Sequence, residues 1–239
     1  MLTFSYARTE ITLTIVLGVL VTALLAVFLH FWALVPAVVT LALLSFYRDP
    51  PRQPLTGDDL ILAPADGKVV EITRDVAGPD GSERWLRIVI FLAVYNVHVN
   101  RSPCAGRVRE VTYRAGEFLN ALNAAANERN ECNLIVIDPR PPLPGPVRVR
   151  QIAGVLARRI VCTARPGNEL DAGERFGMIK LGSRTEVCLV EDSGWNVAVT
   201  VGDKVKAGLT VLARLRQEAP ASGPTRDFLA ARTDTSRSA

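Results

Sequence analysis

From Ile11 to Phe46 the chain contains no Asp, Glu, Lys or Arg. No soluble 239-residue fold needs an uncharged apolar run of that length at one end, so this stretch constrains the architecture more than any other. As one helix it would extend roughly 54 Å at about 1.5 Å per residue. The hydrocarbon core of a bilayer is only about 30 Å thick. Two short membrane helices fit better, broken between His30 and Pro36, and residues 1–48 are expected to form a membrane hairpin. Arg8 flanks one end, with Arg48 and Arg52 at the other, which places both ends on the cytoplasmic side of the cell membrane. A re-entrant or interfacial hairpin satisfies the same run. A cleaved signal peptide fits less well, because the run is too long and no small-residue cleavage site follows it. His30 falls at the expected break and reads as a polar turn residue near the headgroups.

Asp49-Pro50-Pro51-Arg52-Gln53-Pro54 opens a linker, residues 49–59, whose prolines forbid helix. A second segment, 60–216, reads as one domain. Short apolar or alternating runs mark strands: Ile61–Pro64 and Lys68–Ile72 around the Asp66-Gly67 turn, then Trp85–Leu92, Arg107–Tyr113, Leu134–Ile137, Val147–Ile152, Arg159–Thr163, Phe176–Leu181, Glu186–Val190, Asn196–Val201 and Leu209–Leu215. Phe118–Glu128, rich in Ala, Leu and Asn, is the best helix candidate. The turn from Val201 to Gly208 has the Gly-Asp-x-Val-x-x-Gly look of biotinyl and lipoyl domains. The expected class is therefore α+β and β-rich: a sandwich-like or barrel-like domain with a biotinyl-like C-terminal part, behind an N-terminal membrane helical hairpin. Residues 217–239, dominated by Pro, Ser, Thr, Ala and Arg, read as a disordered tail.

The net charge of +4 comes almost entirely from arginines scattered through strand-like runs, which disfavours nucleic acid as a partner. Cys104, Cys132, Cys162 and Cys188 show no metal-ligand spacing and read as reduced, mostly buried thiols; no metal site is called for. Three places offer chemistry. Gly182-Ser183 joins two strand-like runs; a strained Gly-Ser peptide exposes its carbonyl to the serine hydroxyl, although the pair is by itself an ordinary turn. Asp66 in Pro64-Ala65-Asp66-Gly67 is a turn residue or a carboxylate able to orient an imidazole. His98, the only histidine after residue 48, is a structural histidine or a general acid/base.

These stretches occur together with Asn96-Val97-His98-Val99-Asn100-Arg101-Ser102-Pro103, Tyr113–Phe118, Arg129-Asn130-Glu131 and Gly173–Ser183. Between about residue 60 and about residue 215 the chain resembles the short, membrane-associated proenzyme form of the phosphatidylserine decarboxylases. The resemblance implies self-cleavage between Gly182 and Ser183, with Ser183 converted to a pyruvoyl group, the only cofactor. It implies that fragments 1–182 and 183–239 stay associated, and that a phospholipid in the membrane is the substrate. Phosphatidylserine would form a Schiff base and lose carbon dioxide to give phosphatidylethanolamine. Asp66 and His98 would activate Ser183. Arg48, Arg52 and other surface arginines are either holders of the lipid phosphate or solvated positive-inside charges; Tyr113, Phe118 and Asn130 match without an implied role. Long-form members carry His-x-x-His-x-Pro, and here Arg101 stands in the second place, so His98 serves both steps or Arg101 takes over part of the work. A related serine lipid such as archaetidylserine, or a non-catalytic membrane protein with a biotinyl-like domain, remains as the alternative.

Overall fold

The structure is a computed structural model that describes residues 4–78, 81, 83–119, 126–155, 159–180, 183–191 and 194–216. Helix α1 spans Phe4–Leu29, a 3-10 turn covers His30–Ala33, and helix α2 spans Leu34–Phe46. The interruption falls where the sequence places it, but the two halves are unequal. Tyr6–Val27 is long and apolar enough to cross a membrane, and α2 is shorter. Both helices leave leucines and valines outside, Leu17, Val27 and Leu41 among them. They meet at Gly18, where an added Cβ would collide with the side chain of Thr40.

The rest of the chain is built from β1 (Leu60–Leu62), β2 (Gly67–Ala77), β3 (Arg84–Leu92), β4 (Val99–Arg101) and β5 (Gly106–Arg114). The one-turn helix α3 (Ala126–Arg129) follows, then β6 (Cys132–Pro139), β7 (Val147–Ile152), β8 (Ile160–Cys162), β9 (Glu169–Leu170) and β10 (Arg175–Ile179). The chain ends in β11 (Ser183–Val190), β12 (Trp195–Val197), β13 (Lys204–Val205) and β14 (Val211–Leu215). Every pairing between these strands is antiparallel among the described residues. A curled eight-stranded sheet runs β13-β2-β3-β11-β7-β6-β5-β9, and two three-stranded sheets run β1-β14-β12 and β4-β10-β8. The β-rich expectation therefore holds.

β3 and β11 sit at the middle of the large sheet, paired over eight residues from Ser183↔Leu92 to Val190↔Trp85. The alternation of β11 sets its two faces. Val187 and Leu189 enter a core with Leu86, Ile88, Ile90, Ile135, Val149 and Phe176, while Arg184 and Glu186 pair on the opposite face. β10 lies in a different sheet from β11, so between Ile179 and Ser183 the chain crosses from one sheet to another.

Three expectations change. Asp66-Gly67 is not a hairpin turn: β1 pairs with β14 and β2 with β3, because the Asp66 carboxylate is held by Arg52 and the Ala207 amide, and the chain passes between sheets there. Of the helix expected over Phe118–Glu128, the described residues show Ala126–Arg129 as helix and Phe118 and Leu119 as irregular beside a bridge between Glu117 and Asn130; residues 120–125 lie outside the described ones. Asn196–Val201 forms a strand only to Val197, since Thr200 caps a turn by bonding Asp203. The tail 217–239 lies outside the described residues.

Gly177 of β10 packs so close to β8 that a Cβ would fall inside contact distance of the Val161 carbonyl oxygen. Gly177→Ala is expected to destabilise the chain by about 1–3 kcal/mol, read as a lowered melting temperature in detergent.

Candidate active site

Ser183 opens β11 with its side chain fully buried, and its Oγ has no hydrogen-bond partner among the described residues. Leu181 and Gly182, including the expected scissile carbonyl, lie outside the described residues. An orphaned buried hydroxyl is unusual, because folded chains pair such groups nearly always. The position is nonetheless secure: Ser183 stands opposite Leu92, and its neighbour Arg184 stands opposite Phe91 and Ile152.

His98 enters from the β4-β10-β8 sheet. Its carbonyl accepts the Ile179 amide at 3.2 Å, which sets it beside the end of β10, four residues before Ser183. The ring is fully buried. Nδ1 lies 2.9 Å from the Asn96 carbonyl oxygen. That oxygen only accepts, so Nδ1 carries the proton in the neutral ring and Nε2 keeps its lone pair. Nε2 has no partner among the described residues. Burial is the main cause that pushes the His98 pKa down, to about 4; Arg48 adds to the shift, while the Asn96 contact and the Asp66 charge oppose it. At neutral pH the ring is an uncharged base in a dry site. The ring of Phe46, the last residue of α2, lies 4.2 Å from it, centroid to centroid.

No hydrogen bond joins Asp66 to His98. Its carboxylate accepts a two-pronged bond from Arg52, at 2.6 and 2.8 Å, and a third from the Ala207 amide at 2.8 Å. Arg52 also donates to the Ala207 carbonyl. Arg101 is committed too: it donates to Asp49 at 2.9 Å and to the Gly173 carbonyl at 3.1 Å, and Arg175 pairs with Asp49 from another side. The residue standing in the second-histidine place therefore ties the 49–59 segment to the domain. Arg52 is spent on Asp66, whereas Arg48 donates to the carbonyls of Ser45 and Tyr95 and no carboxylate among the described residues is bonded to it. Of the three predicted site residues, the fold seats Ser183 and His98 on adjoining segments and links Asp66 to His98 by charge only.

Several participants were not legible beforehand. Lys180, buried at the end of β10, donates to Glu10 of α1. A row of amides crosses the core: Asn133 donates to Gln151 at 3.0 Å, Gln151 to Asn100 at 2.8 Å, and Asn100 approaches Thr185 at 3.5 Å and the Pro64 carbonyl at 3.4 Å. This row joins the strand after His98 to the strand that begins with Ser183. Asn100 and Gln151 are polar residues inside apolar strands, and that mismatch was the available signal. Asn130 is structural, bonding Leu119 and the Ala153 carbonyl; Tyr113 and Phe118 are exposed. The thiols of Cys104 and Cys188 are pushed up to about 12 by burial, which leaves them unreactive.

A family model described as phosphatidylserine decarboxylase matches residues 39–213. That interval runs from within α2 into β14 and contains Asp66, His98 and Ser183. The chain belongs to the phosphatidylserine decarboxylase family. Among its relatives, a phosphatidylserine decarboxylase proenzyme of Rhodopirellula baltica is 48% identical over 78% of this chain and 78% of its own. Proenzymes of the same name from Syntrophus aciditrophicus and Nitrosomonas eutropha are 43% and 45% identical, over 84% and 77% of this chain and 93% and 83% of theirs. In this member of the family, Glu10 lies outside the matched interval although it reaches Lys180 inside it.

The His98 shift carries a pH dependence. The folded pKa lies below the unfolded one, so the stabilisation is complete above about pH 6.5 and lost as the pH falls toward about 4, amounting to roughly 3 kcal/mol. Thermal denaturation across that window is expected to show a fall that is missing in His98→Gln.

Proposed function

We propose that the chain is a membrane-attached decarboxylase that cuts itself between Gly182 and Ser183 and converts phosphatidylserine to phosphatidylethanolamine and carbon dioxide. One observation carries this reading: within the family-matched interval, a buried hydroxyl and a buried imidazole nitrogen, at Ser183 and His98, both lack partners among the described residues. The surroundings suit a pyruvoyl group made from Ser183. Ser183 is buried, and its Oγ is not tied up by another acceptor among the described residues.

In self-processing, Nε2 of His98 takes the Ser183 hydroxyl proton, and Oγ attacks the carbonyl carbon of residue 182. The peptide becomes an ester as the Ser183 nitrogen leaves and is protonated. Loss of the Ser183 Cα proton then expels residue 182 as a carboxylate, and hydrolysis of the resulting dehydroalanine releases ammonia. When present, the pyruvoyl carbonyl supplies an electrophile that takes up the substrate amine and accepts the electron pair freed with carbon dioxide.

The chain's own residues handle binding and protons. His98, neutral with Nδ1–H held by Asn96, accepts a proton at Nε2 and returns it to the decarboxylated carbon. The Asp66 charge raises the affinity of the ring for that proton from a distance and keeps Arg52 in place. Arg48 is the cation left to meet the lipid phosphate. α1 and α2 form a membrane hairpin whose arginine-flanked ends face the cytoplasm. β11 sits between β3 and β7, so fragments 1–182 and 183–239 stay joined by the sheet after the cut. The β12–β14 segment, with its glycine turns at Gly202 and Gly208, is the biotinyl-like part.

Intact mass and a denaturing gel test the reading. The chain is expected as two fragments, one blocked by pyruvoyl, and Ser183→Ala as one uncut, inactive polypeptide; turnover by uncut Ser183→Ala would refute the mechanism. Asp66→Asn is expected to slow cleavage by about tenfold or more, because it removes a charge that supports His98 and leaves Arg52 buried without its partner. Unchanged cleavage kinetics in that variant would remove Asp66 from the scheme.

A further inference from the structure

The register of the large sheet brings five strand ends together at one rim. Leu92 of β3 pairs with Ser183 of β11, Arg184 with Ile152 of β7, Ile152 with Cys132 of β6, and Cys132 with Arg114 of β5. The segments leaving this rim carry large apolar side chains in the open. Val94 and Tyr95, just past β3, are 48% and 76% exposed; Val155, past β7, is 56% exposed; Phe118, past β5, is 40% exposed. Tyr113, near the end of β5, is exposed beside them. Apart from these, the two helices and the 3-10 turn between them, only Leu55 and Val201 are exposed large hydrophobics among the described residues. Such clustering at one end marks an interaction surface.

What covers it is indicated by continuity. Arg48, just past the end of α2, donates to the Tyr95 carbonyl, and Phe46 packs on His98 three residues after Tyr95. Helix α2 thus leaves the domain at this same rim. Its exposed cations favour an anionic partner. Arg114 stands on the rim, and Arg159 precedes the Ile160 that packs on Ala153. The Glu117 charge is answered by Arg129. Apolar tips among arginines match the headgroup layer of an anionic bilayer.

We infer that this rim, through Val94, Tyr95, Phe118 and Val155, seats the catalytic domain in the membrane surface, so that the Ser183 site opens into the headgroup layer. The helices tether the domain; the rim sets its depth and tilt. This inference rests on the membrane-attached lipid decarboxylase proposed above and adds a second lipid contact to it.

The full chain reconstituted into phosphatidylcholine vesicles containing phosphatidylserine provides the test. Tryptophan emission of Tyr95→Trp, taken as the difference from the unsubstituted chain, is expected to be quenched by phosphatidylcholine brominated near the ester end of its acyl chains. Arg84→Trp, at the far end of β3, is expected to be unaffected. Equal quenching of the two overturns the proposal. In the activity arm, Tyr95→Asp with Val155→Asp is expected to raise the phosphatidylserine surface fraction for half-saturation by about tenfold, with kcat unchanged and turnover of dispersed short-chain phosphatidylserine unaltered. An unchanged half-saturation on vesicles, or an equal loss on both substrates, also overturns it. Absence of any decarboxylation by the unsubstituted chain would sink the proposed function alone, since quenching is read without turnover.

Discussion

A strand that begins with Ser183 lies in the middle of the large sheet, between β3 and β7. This placement governs the rest of the molecule. Ladder hydrogen bonds on both sides hold the new end that a cut before Ser183 would create, so the fold does not depend on that peptide. Antiparallel pairing with β3 over eight residues also fixes where Ser183 sits against Leu92. The crossing from the β4-β10-β8 sheet into the large sheet brings the His98 segment close to the same point.

Burial decides the chemistry of that point. His98 is kept neutral by desolvation, and the Asn96 carbonyl selects the tautomer with a bare Nε2. A hydrogen-bonded aspartate at Nδ1 would do the same work in many serine nucleophile sites. Here a backbone carbonyl takes that place, and Asp66 acts through its charge from within a bonded cluster with Arg52 and Ala207. The amide row from Asn133 through Gln151 to Asn100 then ties the two sheets together beside the site.

The segment that joins α2 to the sheets belongs to the same architecture. Phe46 packs on His98, Asp49 joins Arg101 and Arg175, Arg52 joins Asp66, and Glu10 joins Lys180. Buried pairs such as Arg101–Asp49 contribute little net stability but are costly to break, so they favour one docking geometry over others. Arg101 shows what this means for the family pattern. Its guanidinium bonds Asp49 and the Gly173 carbonyl, which leaves His98 as the imidazole for both steps of the proposed reaction.

Much was legible from residues alone. The uncharged run demanded helices outside a soluble core, and the interruption near His30 followed from bilayer thickness. The apolar and alternating runs predicted most strands, because side-chain period and burial are local properties. His98 stands out as the one histidine after residue 48, and Ser183 through the motif that surrounds it. The partners of Asp66, the role of Arg101, the Glu10–Lys180 tie and the amide row were decided only by tertiary structure. Each joins residues distant in sequence, and a sequence states which side chains can pair but not which ones the sheets bring within reach. The misread Asp66-Gly67 turn has the same cause: local turn chemistry allowed a hairpin, and long-range bonds from Arg52 and Ala207 drew the chain between two sheets instead.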